Sequence, residues 1–384
     1  MIRVLGKGLT AKAIEEAFDD VKLYDDSDFE TYDKSSNDIT VVSPGIMPSN
    51  HMVKNSKNII SEYDLFADDM PFSIWISGTN GKTTTTEMTQ HLLEKKGSVC
   101  GGNIGTPLAL LNKDANIWIL ETSSFTNHYT NKAKANIYIL LPVSEDHITW
   151  HGSFDEYKKA KLKPLDFMVE SEIAIIPEEF KDYKTDACVI TYKNSDCLCK
   201  EFGIEKEKIK FKEPFLLDSI MALISSKILF DELDYELINS FVVGKHKVEE
   251  FFDKKNRLWI DDSKATNVDA TINALKPYKD KKINLILGGD DKGANLKPLF
   301  EEMKNYDITI FAIGSNDEKI FQLANKFEIE VFALRYLAKA VEKIDELFCE
   351  NSIGMLSPAA ASLDQFTSYK HRGEEFKNLV GTLS

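Results

Sequence analysis

At 384 residues the chain is too long for one ordinary hydrophobic core and is expected to divide into two or three domains. Its 43% hydrophobic and 28% charged residues match a soluble globular protein. A formal net charge of −15 excludes non-specific attachment to nucleic acid or anionic lipid, but not anionic small substrates held by local lysines and helix ends.

Residues 2–5 read as a strand whose apolar run is far too short for a secretory leader. The strand opens into Gly6-Lys7-Gly8-Leu9-Thr10-Ala11, a Gly-x-Gly-x-x-Ala turn of the Rossmann type, with a helix over about 11–18. Alone, that turn fits a nucleotide-like ligand or glycines kept simply for packing. A second strand over 21–24 ends at Asp25 and Asp26, where an acid can meet a ribose hydroxyl, and a third over 39–42 ends in Ser43-Pro44-Gly45. Residues 1–70 are therefore expected to form a small Rossmann-like α/β domain with its loops at the strand C-termini.

The next stretch organises the chain. Phe72-Ser73-Ile74-Trp75-Ile76 is a buried strand, Gly78-Thr79-Asn80-Gly81-Lys82-Thr83-Thr84 a glycine turn, and 86–95 has helical composition. The strict phosphate-loop motif has a glycine where Ile76 stands, so the match is to a shortened Gly-x-x-Gly-Lys-Thr. The two glycines let backbone N–H groups turn toward an anion at a helix N-terminus. Lys82 would reach the outer phosphates and the Thr83 hydroxyl the accompanying magnesium. A chance lysine after a glycine-rich turn is the alternative; the preceding strand and the following threonine favour an ATP site.

Ile117 to Leu120 is a strand ending at Glu121, a carboxylate well placed for magnesium beside the loop. The strand over 137–141 leads to Glu145-Asp146-His147 and His151; on its own, His147 reads equally as a hydrogen-bonded loop residue. A helix over 154–167 carries Lys158, Lys159, Lys161 and Lys163, and periodicity selects none of them. Strands follow at 173–176 and 188–190, then an apolar core helix at 215–230, and the chain changes domain near Val243-Gly244-Lys245-His246. Beyond it, strands at 258–260, 283–287, 308–313, 330–333 and 354–356 alternate with polar loops and helices, which implies a third parallel sheet. Cys100, Cys188, Cys197, Cys199 and Cys349 have neither disulfide nor metal spacing and suggest isolated thiols in a reducing cytoplasm. No window has the apolar length of a membrane span.

Taken together, these residues resemble the Mur ligase family, ATP-dependent amide-bond ligases of peptidoglycan synthesis. The landmarks are Ser-Gly-Thr-Asn-Gly-Lys-Thr at 77–83, Gly102-Asn103-Ile104-Gly105, Leu120-Glu121-Thr122-Ser123-Ser124-Phe125, Glu145-Asp146-His147 and Lys159-Ala160-Lys161-Leu162. Two more, Asp262-Ser263-Lys264-Ala265-Thr266-Asn267 and the stretch from Leu356 to Phe366 running on to Arg372-Gly373, point to the branch that adds D-glutamate to UDP-N-acetylmuramoyl-L-alanine. The resemblance covers the whole chain. It implies an α/β fold in three domains: 1–70, Rossmann-like, for the UDP-linked precursor; 71–243, a phosphate-loop ATPase domain; and 244–384, Rossmann-like, for the amino acid.

By that resemblance Gly8, Leu9, Thr10, Asp25 and Gly45 line the uridine pocket, with Asn103 nearer the diphosphate. Gly78 to Thr84 hold ATP, with Asp262 and Lys264 also contacting it. Thr83, Glu121, His147 and Lys161 serve two magnesium ions, Lys161 as the family's carbamylated lysine. Lys82, Glu121, His147 and Lys161 form the catalytic set, and Thr266, Lys292, Ser362 and Tyr369 hold D-glutamate. A cytoplasmic monomer acting on small molecules is expected, with no nucleic acid and no membrane insertion. Three departures stand out: Phe215-Leu216 where a His-Asn pair is usual, Lys247 for an arginine, and Tyr369 for a phenylalanine. A family member adding another amino acid, a folate polyglutamate ligase, and a nucleotide-binding protein without turnover are the rival readings.

Overall fold

The computed structural model describes residues 1–383 and contains three sheets, each built mainly from parallel strands. β1 (Ile2–Leu5), β2 (Val21–Tyr24), β3 (Ile39–Val42) and β4 (Asn58–Ile60) form an all-parallel sheet in the order β2-β1-β3-β4. β5 (Phe72–Ser77), β6 (Ser98–Gly102), β7 (Ile117–Glu121), β8 (Ile137–Leu140), β9 (Ile173–Pro177) and β10 (Cys188–Tyr192) form the second, ordered β10-β9-β8-β5-β7-β6. β5 thus lies between β8 and β7, so the glycine turn that leaves it is flanked by the ends of both neighbours. That is where an open parallel sheet binds ligands.

The third sheet contains β11 (Glu249–Phe252), β12 (Leu258–Asp261), β13 (Lys282–Gly288), β14 (Asp307–Ile313), β15 (Glu330–Arg335) and β16 (Ser352–Leu356), ordered β11-β12-β16-β13-β14-β15. β11 runs antiparallel to β12, whereas sequence patterning leads one to expect parallel strands only. The short link between them, with Asn256 in the left-handed region and its N–H on the Asp253 carbonyl, closes a hairpin and leaves no room for a crossover helix.

Contacts divide the chain into two compact units: 1–211 with 215–241, and 212–214 with everything from Val242 onward. Within the first, the two sheets share one apolar core. Val4, Ala11, Ile14 and Val41 belong to the same buried cluster as Trp75, Trp118 and Tyr138. In the second unit, apolar clusters lie on both faces of the sheet, around Leu285 and Phe300 on one and Trp259 and Phe376 on the other. Near-continuous apolar runs such as Ile117–Glu121 and Lys282–Gly288 reflect that two-sided burial.

Two helices differ from expectation. The one after the glycine turn spans Lys82–Leu93 and so begins four residues before the expected start. A run of four threonines is a poor helix former, but Thr84, Thr85 and Thr86 are buried, the helix packs on Phe215–Phe230, and tertiary burial overrides propensity. The lysine-rich helix spans Phe154–Leu162 and tightens into a 3-10 turn, because Pro164 cannot continue an α-helix.

Candidate functional site

The turn after β5 is held from three sides. Gly81 sits at φ 82° as the N-cap of the Lys82–Leu93 helix, so the first-turn N–H groups face the loop. The Thr79 hydroxyl bonds to the Ser144 carbonyl and to the Tyr157 hydroxyl, each at 3.0 Å, tying the loop to the segments after β8. Thr85 donates to Asp218 at 2.9 Å, tying the helix to Phe215–Phe230. Asn80 is half-buried in the loop, and Thr84 is buried in the first helical turn.

Charge is concentrated at one carbonyl. Lys82 Nζ donates to the Gly78 and Thr79 carbonyls at 3.0 and 2.9 Å, and Lys161 Nζ donates to the same Gly78 carbonyl at 2.6 Å. Lys161 is 1% exposed, and burial together with the neighbouring Lys82 pushes its ammonium well below the usual lysine range. The structure thus singles out Lys161 from the lysine run, while Lys159 is solvated and paired with Glu156.

Opposite, Glu121 ends β7 with both carboxylate oxygens engaged. Thr83 Oγ1 donates to Oε2 at 2.8 Å and Asn103 Nδ2 to Oε1 at 2.5 Å. The Tyr63 hydroxyl donates to the Glu121 carbonyl at 3.0 Å, and the chain passes so close at Gly102 that a Cβ there would stand 2.5 Å from that hydroxyl. His147 is left-handed at φ 55° and begins the Ile148–His151 helix; its ring meets Phe125 edge-on at 4.7 Å and lies 6.1 Å from Tyr157. Thr83, Glu121 and Asn103 are therefore in direct contact, Lys82 and Lys161 share an acceptor, and His147 stands beside Tyr157, which also lies under Lys161 Nζ at 4.7 Å.

A cavity of about 300 Å³ opens where the first two sheets meet, lined among others by Leu9, Thr10, Pro44, Glu62, Tyr63 and Asn103. Leu9, Thr10 and Asn103 are thus brought together; Gly8, Asp25 and Gly45 are not in its wall. Gly8 caps the helix Leu9–Ala17 and Gly45 follows Pro44. Asp25 is paired with Lys7 at 2.8 Å, which with the Ser27 hydroxyl holds its carboxyl down at about 2. Sequence reasoning missed Glu62, whose burial pushes its carboxyl up to about 7 while it accepts the Ala109 N–H at 3.2 Å. Tyr63 and Tyr157 were missed as well, because nothing in their spacing marks them.

In the C-terminal unit, Asp262 is buried, accepting from Ser357 Oγ at 2.6 Å and the Val248 N–H at 3.2 Å; burial pushes its carboxyl up to about 8. Lys264 is exposed, with Nζ 4.5 Å from the centre of the Tyr369 ring. Thr266 and Lys292 are exposed and Ser362 is buried. Asp290 and Ala361 pair through their backbones, which joins the Lys292 loop to the Ser362 loop. His246 Nδ1 lies 2.6 Å from Asp261. Leu216 is buried in its helix, and Lys247 follows His246 as the sequence orders them.

Residues 76–251 match the Mur ligase middle domain. A UDP-N-acetylmuramoylalanine--D-glutamate ligase of Campylobacter jejuni (subsp. jejuni serotype O:23/36, strain 81-176) is 50% identical over 400 residues, covering all of both chains. The Helicobacter pylori (strain ATCC 700392 / 26695) ligase of the same name is 44% identical over 417 residues, covering 99% of each. Among solved structures, MurF ligase from Thermotoga maritima in complex with ADP shares the fold at a TM-score of 0.60 and 14% identity, over 89% of this chain and 88% of its own. The chain belongs to the Mur ligase family.

Proposed function

We propose that the chain is an ATP-dependent ligase that joins D-glutamate to UDP-N-acetylmuramoyl-L-alanine through an acyl phosphate, as a cytoplasmic monomer in peptidoglycan precursor synthesis. The observation that carries the ATP-dependent chemistry is the meeting of two lysine amines at the Gly78 carbonyl beside a carboxylate that already accepts from Thr83. The choice of D-glutamate rests on full-length similarity to ligases of that name. Among the described residues, no helix is long and apolar enough to cross a membrane.

The residues fit the groups such a reaction needs. Magnesium takes hard oxygen donors, and the Thr83 hydroxyl and Glu121 carboxylate, 2.8 Å apart, are a matched pair of them. His147 and Lys161 would complete the two metal sites. A free ammonium would repel a dication, but burial and Lys82 favour the neutral amine, the form that would add CO₂ and become a carbamate oxygen donor. When bound, magnesium neutralises the charge that builds on the transferring phosphoryl group.

The chain supplies position and charge. Lys82 and the N–H groups from Gly78 to Thr84 hold the outer phosphates. Gly8, Leu9, Thr10, Asp25, Gly45 and Asn103 seat the UDP-linked precursor, whose carboxylate attacks the γ-phosphate of ATP to give an acyl phosphate and expel ADP. Asp262 and Lys264 are read as nucleotide contacts, and Thr266, Lys292, Ser362 and Tyr369 as amino-acid contacts. The D-glutamate amine then displaces phosphate from the acyl phosphate, and no protein nucleophile is required. We read the three sheets as three domains, 1–70, 71–243 and 244–384. Phosphate release from a mixture of protein, ATP, magnesium, UDP-N-acetylmuramoyl-L-alanine and D-glutamate is the direct test. Release that requires L-lysine or another amino acid instead would overturn the substrate assignment.

A further inference from the structure

We propose that Arg372 is a positioning residue for amino-acid capture: its buried guanidinium holds together the loops that carry Thr266, Lys292 and Ser362. The inference rests on the D-glutamate ligase reading for its substrate, but its geometry stands by itself. Arg372 is 1% exposed on the helix Tyr369–Thr382. Nε donates to Ser263 Oγ at 3.0 Å and NH2 to the Ser263 carbonyl at 2.8 Å, which fixes the loop leading to Thr266. NH1 and NH2 both donate to the Ala360 carbonyl at 3.1 Å, which fixes the loop leading to Ser362. The third loop follows from the second, since Ala361 pairs with Asp290, two residues before Lys292. Gly289 also passes so close that a Cβ there would lie 3.3 Å from NH1.

The helix itself is drawn into the same knot. Ser263 Oγ donates to the Tyr369 carbonyl at 2.8 Å, so the residue that accepts from Arg372 also anchors the turn bearing Tyr369. Every acceptor of the guanidinium is a carbonyl or hydroxyl on a loop, which is an expensive way to bury a cation if shape alone were needed. An apolar side chain would fill the volume without specifying loop register; a planar fork specifies both loops at once. A lysine offers three donors from a single nitrogen but no planar fork, so it cannot span Ser263 and Ala360 in that plane.

The test is steady-state kinetics on the full-length chain with ATP, magnesium chloride, UDP-N-acetylmuramoyl-L-alanine and D-glutamate. Arg372→Lys is expected to raise KM for D-glutamate by about tenfold or more, while KM for the UDP-linked substrate stays within about twofold. Arg372→Ala is expected to regain D-glutamate affinity when millimolar methylguanidinium is added, a response that a general loss of stability would not produce. Should Arg372→Lys fail to fold, Ser263→Ala decides, with an expected rise in the same KM of about threefold. An unchanged KM for D-glutamate in the folded variant, or a fall in kcat alone, overturns the proposal. Wild-type turnover that ignores D-glutamate would instead overturn the functional reading, so the two failures are distinguishable.

Discussion

Replacing Gly81 by alanine tests how tightly the phosphate loop is built. At φ 82° an L-residue carries about 1–2 kcal/mol of backbone strain. The added Cβ would also stand 2.5 Å from Asp218 Oδ1 and 3.0 Å from Leu141 Cδ1. Asp218 is buried and accepts from Thr85 at 2.9 Å, so moving it disturbs a charge-assisted hydrogen bond worth about 1.5–3 kcal/mol. The sum is about 3–5 kcal/mol, or roughly 10 °C in Tm for a unit of this size. Gly203→Ala is the matched control: its φ of 67° is equally left-handed, but nothing lies within 4 Å of the added carbon, so only the strain of about 1–2 kcal/mol applies. Thermal melting of both variants, with ATP-dependent phosphate release at 25 °C, separates the two contributions. Gly81→Ala is expected to melt well below Gly203→Ala and to lose on the order of tenfold or more in turnover. Equal melting temperatures would refute the packing argument, and full turnover would remove this turn from the ATP site.

Lys82→Ala is expected to abolish phosphate release with stability changed by only about 1 kcal/mol, because its amine bonds two loop carbonyls and supports no core; calorimetry beside the release assay checks both. Lys161→Ala is expected to cut turnover on the order of 100-fold and to recover partly with short carboxylic acids, and unaltered turnover would take Lys161 out of the metal site. Glu62, buried with its carboxyl raised to about 7, keeps a proton that the unfolded chain releases near 4.5, so stability is expected to fall as pH rises from about 4.5 to 7. Glu62→Gln should flatten that slope, by up to about 3 kcal/mol, in melting curves taken across the same range; an unchanged slope would mean that the carboxyl is already ionised at low pH.

What the sequence made legible follows from where the physics is local. β7 and β13 are read off directly, since a strand buried on both faces must be apolar throughout. β6 escaped notice because Ser98–Gly102 ends in two glycines, kept there by the close approach of Thr106 and Tyr63 rather than by any strand preference. The antiparallel β11 was equally hidden, because Glu249–Phe252 shows neither alternation nor an apolar run. The glycine turn and the carboxylate at the end of β7 were legible because a Gly-x-x-Gly-Lys-Thr run after a buried strand, and an acid closing an apolar run, have fixed spacing. Lys161 was not separable from its neighbours by spacing, since burial over the Tyr157 ring and beside Gly78 is a tertiary fact. Arg372 was visible only as part of a motif, and its role depends on three loops that are distant in the chain.

The presence of a lysine at 161, where the proposed chemistry ends with an oxygen donor, has a physical rationale. A glutamate at that position would bury a carboxylate against the Gly78 carbonyl, two acceptors facing each other with no proton between them. An amine donates to that carbonyl at 2.6 Å, so the chain folds with the group satisfied. Burial and Lys82 then push the amine toward its neutral, nucleophilic form, whereas Lys159 is solvated and paired with Glu156. Under the proposed chemistry, the same burial that would penalise a permanent anion favours an amine that would gain negative charge only on adding CO₂ beside a cation. On that reasoning the electrostatics of the unmodified fold and of the modified site are opposite in sign, and one side chain satisfies both.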